Sequence, residues 1–199
     1  MTRQQGARAK LFEVAERQAG YFTATQAREA GYSHAAQSYH AKAGNWIRDG
    51  WGVYRLARFP EAPGSELVRL MLWSRDRAGV IRAAVSHESA LAAFELSDVL
   101  PAKHHLMVPP GFRKMPPAGV VLHRAGLPEE DVMDRDGYRV STPLRTLLDV
   151  AASHISPEHL EAATVQALER GLVRRSELRE ALRPRPASVG DAFARLGFG

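Results

Sequence analysis

The stretch Trp46-Ile47-Arg48-Asp49-Gly50-Trp51-Gly52-Val53-Tyr54-Arg55-Leu56 reads as two short strands folded back across a glycine-rich turn. What precedes it gives the hairpin its meaning. Ser33 is a ready N-cap for a helix that ends at Gly44. Before that, Thr23-Ala24-Thr25-Gln26 offers a hydroxyl and, three residues on, an amide, each able to satisfy one unpaired N–H at a helix start. The short helix that follows runs to Ala30 and is stopped by Gly31. Further upstream, Leu11, Val14, Ala15 and Gln18 recur at three-and-four spacing within Ala9 to Gln18, and the pattern stops at Gly20. Three helices, the last two meeting across a turn that contains glycine, followed at once by a hairpin, is the order of a winged helix-turn-helix.

At ~100° per residue, Ala36, Tyr39 and Ala43 of the third helix share one face and are expected to pack on the first two helices. His34, Gln37, Ser38, Ala41 and Lys42 fall on the other face. A glutamine amide can read an adenine edge, and a lysine can read guanine or hold phosphate, although a merely solvated face has the same composition. The hairpin decides between these readings, because after such a helix it is a wing. Arg48, Arg55 and Arg58 lie on or beside it, where wings meet the phosphate backbone or the minor groove. Trp46, Val53 and Tyr54 are expected in the core. The contacts expected with double-stranded DNA are therefore His34, Gln37, Ser38 and Lys42 in the major groove, and Arg48 and Arg55 on the backbone.

Charge supports this division. Residues 1–58 carry nine basic and four acidic side chains, whereas the rest of the 199-residue chain carries eighteen of each. The net charge of +5 thus belongs to the first third, as expected where one region touches a polyanion and the other does not. With 45% hydrophobic and 25% charged residues the chain has a globular composition, long enough for one domain or two small ones. The absence of cysteine excludes disulfides, thiolate zinc sites and a cysteine nucleophile. No apolar run approaches the ~18 residues of a membrane span. The basic residues Arg3, Arg8 and Lys10 are interrupted by Gln4, Gln5 and Gly6, with no apolar stretch of a signal peptide. A cytoplasmic protein with no membrane association is expected.

Between Pro60 and Gly64 the composition turns to Pro, Ala and Gly, which sets the expected boundaries: a winged helix-turn-helix domain over 1–58, a linker over 59–64 and a second domain over 65–199. In the second domain Ser65 and Ser86 are read as helix caps, the first ahead of a buried stripe of Leu67, Leu70 and Met71. Leu106-Met107-Val108, Val120-Val121-Leu122 and Tyr138-Arg139-Val140 read as strands. Thr142-Pro143, Ser156-Pro157-Glu158 and Ser176-Glu177 are helix starts, and Gly171 closes the second of those helices. The fold class is α+β: an N-terminal winged helix-turn-helix followed by a mixed domain with a small sheet and several helices.

Gly20-Tyr21-Phe22-Thr23, Gln26-Ala27, Ala30-Gly31-Tyr32-Ser33 and Gly52-Val53-Tyr54-Arg55-Leu56 resemble the winged helix-turn-helix of AbiEi antitoxins. The likeness continues through Ser86-His87-Glu88-Ser89-Ala90-Leu91, Thr142-Pro143-Leu144-Arg145-Thr146-Leu147-Leu148-Asp149 and Ala167-Leu168-Glu169-Arg170-Gly171-Leu172-Val173, so that it spans nearly the whole chain. The resemblance implies a type IV toxin–antitoxin system. In such a system the N-terminal domain represses its own promoter, and the C-terminal domain neutralises a cognate nucleotidyltransferase toxin, with or without stable contact. One departure is Trp51, which stands where similar sequences often carry Arg or Lys before Gly-Val-Tyr.

Other constellations have plainer explanations. His104 and His105 are neighbours in a strand, point to opposite faces and cannot grip one metal. Asp134-Arg135-Asp136-Gly137 has the acids of a calcium loop, but Val132 and Pro143 stand at its first and last ligand positions, so it is read as a hairpin turn. Ser86, His87 and Glu88 include the residue types of a hydrolase site, yet no Gly-x-Ser-x-Gly elbow exists and a helix cap accounts for them. Arg145 and Asp149, four apart, form either a surface pair or a buried pair that fixes the fold. The basic loop Phe112-Arg113-Lys114 is read as solvated, and no phosphate-cradling or dinucleotide motif occurs. No catalytic residue, no metal and no cofactor is therefore expected. The main rival reading is a winged-helix transcriptional regulator whose second domain senses a small ligand.

Overall fold

The computed structural model describes residues 3–50, 52–153, 155–194 and 196–198. Trp51, the departure at the wing, lies outside the described residues. The chain divides into two compact units, Met1–Arg82 with Asp136–Tyr138, and Ala83–Arg135 with Arg139–Gly199.

In the first unit, helix α1 (Arg3–Glu16) leads through strand β1 (Tyr21–Thr23) into helices α2 (Ala24–Glu29) and α3 (His34–Lys42). Strands β2 (Trp46–Gly50) and β3 (Val53–Leu56) follow, and helix α4 (Ser65–Ser74) ends the unit's main segment. The start of α2 carries the expected reciprocal cap: Gln26 N–H donates to Thr23 Oγ1 at 3.2 Å, and Thr23 N–H to Gln26 Oε1 at 2.8 Å. Ser33 caps α3 through Ala36 N–H. Gly31, at φ +108°, and Gly44, at φ +72°, take the left-handed conformations that end α2 and α3. The strands form an antiparallel sheet in the order β1-β3-β2, with an irregularity in register between Arg48 and Gly50. Leu11, Ala15, Phe22, Ala27, Ala30 and Trp46 make the core, with Val14, Tyr32, Tyr54 and Leu56 packed against it.

The linker expected at 59–64 is instead tied into this unit. The Phe59 carbonyl accepts from Arg55 at 2.7 Å, and its ring lies 6.3 Å from that of Phe12. Helix α4 packs on β1 and β3, and Arg69 reaches back to Asp49 at 3.3 Å. Hence the boundary between the units falls at 82–83 rather than before α4. The turn of composition to Pro, Ala and Gly after Pro60 does not mark the boundary, because α4 packs on the strands before it. Gly64, left-handed at φ +77°, occupies the N-cap of α4 in place of the expected Ser65.

The second unit holds a five-stranded sheet in the order β6-β5-β4-β8-β7. Its strands are β4 (Ala84–Val85), β5 (His104–Val108), β6 (Val120–Arg124), β7 (Val132–Arg135) and β8 (Tyr138–Ser141). β4 pairs antiparallel with β5 and parallel with β8, while β5 and β6 are parallel. Asp136 (φ +49°) and Gly137 (φ +85°) make the two-residue turn between β7 and β8, the geometry that an Asp-Gly pair favours. The helices are α5 (His87–Phe94), α6 (Pro143–Ala151), α7 (Pro157–Glu169), α8 (Arg175–Leu182) and α9 (Ala187–Ala194). Thr142 and Ser156 cap α6 and α7 as expected, each with proline in the first turn. The cap of α8 lies two residues earlier than expected: Glu177 accepts from Arg174 N–H at 2.9 Å, so Arg174 and not Ser176 stands at the N-cap. Leu91, Phe94, Leu106, Val140, Leu147, Val150 and Phe193 are all buried. The class expected from the sequence, α+β, is the class observed, with two small sheets.

Candidate functional site

Helix α3 keeps His34 and Lys42 on its outward face as the wheel suggested, but Gln37 and Tyr39 exchange places. Gln37 is only 4% exposed, and its amide donates to Ala24 O at 3.2 Å and Tyr32 O at 3.3 Å. It fastens α3 to the start of α2, so it does not present an amide to a major groove. Tyr39, expected in the packing, is 65% exposed. The two lie about 160° apart around the helix at ~100° per residue, so burying one necessarily turns out the other. The misreading has a simple cause: His-Ala-Ala-Gln-Ser-Tyr-His-Ala-Lys contains no aliphatic residue larger than alanine, and so no stripe to orient the helix.

The outward face consists of His34, Ala35, Tyr39 and Lys42, all exposed, with Ser38 half-buried at its edge. Arg48 on β2 is exposed as well, as is Arg58. Arg55, the other arginine expected at the backbone, is 7% exposed. Its guanidinium donates to Phe59 O at 2.7 Å and to Glu61 Oε1 at 3.2 Å, and it lies 6.0 Å from the centre of the Tyr21 ring. It holds the chain leaving the wing and is not offered to phosphate. Among the six expected contacts, then, His34, Ser38, Lys42 and Arg48 stand on the surface, while Gln37 and Arg55 are structural. Helix α3 has no acidic residue.

The second unit contains a polar centre that sequence reasoning passed over. The rings of His87 and His123 lie face to face, with centres 3.4 Å apart and planes at 14°. His105 Nδ1 stands 3.0 Å from His123 Nε2 and 2.8 Å from Glu88 Oε2. A single nitrogen faces both groups. Ser86 holds the N-cap position of α5, but its hydroxyl contacts His87 Nδ1 at 3.0 Å rather than capping the helix as expected. His87 itself is left-handed at φ +52°, a costly conformation for a residue with a Cβ, and is 7% exposed. Burial, followed by the neighbouring His123, His105 and Arg145, pushes its pKa down to about 3. Burial also lowers those of His105 and His123, with Glu88 pulling the other way in both. The expectation for His104 and His105 holds in that they are strand neighbours. What it omitted is that the next strand brings His123, and α5 brings His87, to the His105 side.

Beside this centre Arg145 resolves the choice left open above, because both it and Asp149 are buried. Its Nε donates to the two Asp149 oxygens at 2.8 and 3.0 Å, one Nη to Asp131 at 2.6 Å, and the other to Gly126 O at 3.3 Å beside Met107 Sδ. No group of His, Asp or Glu suited to holding a metal occurs among the described residues. None of their helices is long and apolar enough to cross a membrane.

Two family models match the chain. Residues 9–57 match one described as a transcriptional regulator, AbiEi antitoxin, and residues 82–197 match the AbiEi antitoxin C-terminal domain. No curated protein matches it. Among solved structures, the RV2827C protein from Mycobacterium tuberculosis is similar over 96% of this chain and 75% of its own. The TM-score is 0.59 at 17% identity, a likeness of fold.

Proposed function

Since the chain belongs to the AbiEi antitoxin family, we propose that it is an antitoxin that represses its own operon by binding promoter DNA and neutralises a cognate nucleotidyltransferase toxin. The observation that carries the DNA part is the face of α3 and β2. Lys42 and Arg48 stand exposed on it, no acid interrupts the helix, and the excess charge of the whole chain lies in residues 1–58. In this reading α3 enters the major groove of double-stranded DNA, His34 and Ser38 reach base edges or phosphates, and Lys42 and Arg48 hold the backbone. Arg55 keeps the wing in place from behind.

Neutralisation rests on the second unit and is exerted by a folded surface or an indirect effect, without catalysis. Ser86 is fully buried, so its hydroxyl is not placed to attack a substrate. The protein works in the cytoplasm, without cofactor or metal.

Gel-shift titration of the full-length chain on the DNA upstream of its own gene tests the first half. A Lys42→Ala/Arg48→Ala variant that still binds as wild type removes the interface. Co-expression with the product of the adjacent gene tests the second. Rescue of growth by the full chain, driven from a foreign promoter and carrying the same two substitutions, is expected. Failure to rescue favours the ligand-sensing regulator.

A further inference from the structure

Tyr39 is the one large hydrophobic side chain on the outward face of α3. Its neighbours Ala35, Ala36, Ser38 and Ala43 are small, which lets the helix approach another surface closely. The ring is also held. It meets the edge of His40 at 5.4 Å and 75°, and His40 lies flat on Trp46 at 4.9 Å and 18°. Asn45 Nδ2 fixes His40 at 3.2 Å, and Trp46 is wedged between Phe22 at 4.8 Å and Tyr32 at 5.0 Å. A line of aromatic contacts thus runs from the core of the unit to an exposed phenol. A residue propped in this way loses little rotamer freedom on binding, which suits an anchor rather than an idle surface side chain.

We propose that Tyr39 is the principal sequence-reading residue of this chain, its ring packing on the 5-methyl group of a thymine in the major groove, with Ala35 one turn away closing on the same edge. The inference rests on the DNA-binding reading and deepens it. The occupant is argued from charge: Lys42 lies three residues from Tyr39 on the same stripe, and Arg48 is exposed on the adjoining strand, so a polyanion satisfies the rim while the apolar centre meets the methyl group. The phenol hydroxyl is free to bond a neighbouring base or phosphate, but the discrimination belongs to the ring.

The test uses the full-length chain and a duplex it selects from a random pool, with each thymine replaced in turn by deoxyuridine, which keeps the pairing and removes only the methyl group. One replacement is expected to weaken wild-type binding about tenfold. Tyr39→Ala is expected to lose about as much on the unmodified duplex and to be indifferent to that replacement, while Tyr39→Phe keeps both affinity and sensitivity. The residue is exposed, so a melting curve close to wild type is expected of both variants. Several results overturn the proposal: Tyr39→Ala retaining the uracil sensitivity, losing affinity equally for all sequences, or binding DNA normally while failing to neutralise the toxin, which makes the occupant a protein. If the wild-type chain enriches no duplex at all, the DNA-binding reading itself falls, and this inference with it.

Discussion

The imidazole of His87, itself buried, lies flat on that of the half-buried His123, ring centres 3.4 Å apart. Two neutral imidazoles tolerate that distance. Two imidazolium ions do not, and one charged ring there lacks the solvation it would have in an unfolded chain.

Acid should therefore unfold the second unit. The His87 pKa is about 3, against 6.5 unperturbed, and those of His105 and His123 are lowered too. Between those values the unfolded chain binds protons that the folded chain refuses, so stability is full above pH 6.5 and falls as the pH drops. Urea midpoints at pH 7.5, 6 and 5 should decline in that order. His87→Asn, which removes one titrating ring and suits the left-handed backbone, should flatten the decline. Burial raises the Asp149 pKa, which acts in the opposite sense at the acid end, so the informative comparison is variant against wild type. An unchanged slope in His87→Asn would show that the ring is not refusing a proton.

Gln37→Ala should cost stability and leave base preference alone. Removing the buried amide strands the carbonyls of Ala24 and Tyr32, a loss of about 1–3 kcal/mol that a melting curve will show. Selection from a random duplex pool should return the wild-type sequence.

The two arginines of the hairpin should behave oppositely. Arg48→Ala should weaken binding to all sequences and reduce the slope of log affinity against log salt by about 0.9, as should Lys42→Ala. Arg55→Ala should lower the melting temperature of the first unit, because Phe59 O and Glu61 lose their donor. A fragment ending at residue 58 should be less stable than one ending at Arg82, since it forfeits that anchor and the Arg69–Asp49 pair.

Arg145→Ala should be among the most damaging substitutions in the second unit. It leaves the buried Asp149 carboxylate without its bidentate partner, and breaking a buried pair from one side costs about 3–5 kcal/mol. Arg145→Lys should rescue little, because an ammonium cannot reach Asp149, Asp131 and Gly126 O at once. Urea titration by circular dichroism reads both.

What the sequence made legible was local. The reciprocal cap of Thr23 and Gln26, the caps at Ser33, Thr142 and Ser156, and the Asp136-Gly137 turn are each fixed by residues a few positions apart, and each is present. The orientation of α3 was hidden, because it depends on a buried glutamine and not on an apolar stripe. Strands β1 and β4, of three and two residues, are too short for any alternation to appear. The histidine centre draws on α5, β5 and β6, and no single window of sequence contains it. Its one outward sign was the Ser86-His87-Glu88 run, for which a helix cap was a sufficient explanation until the serine hydroxyl proved to be engaged elsewhere.

Arg145 joins α6 to β5, to the segment at Gly126 and to the turn at Asp131 through one side chain. Residues 107–149 are thus sewn into a single inheritable block. Chimaeras assembled from related antitoxins should tolerate crossovers near residue 82, between the two compact units, and fail when the crossover falls between Asp131 and Arg145. There the recombined chain receives its arginine from one parent and the pocket that must swallow it from another.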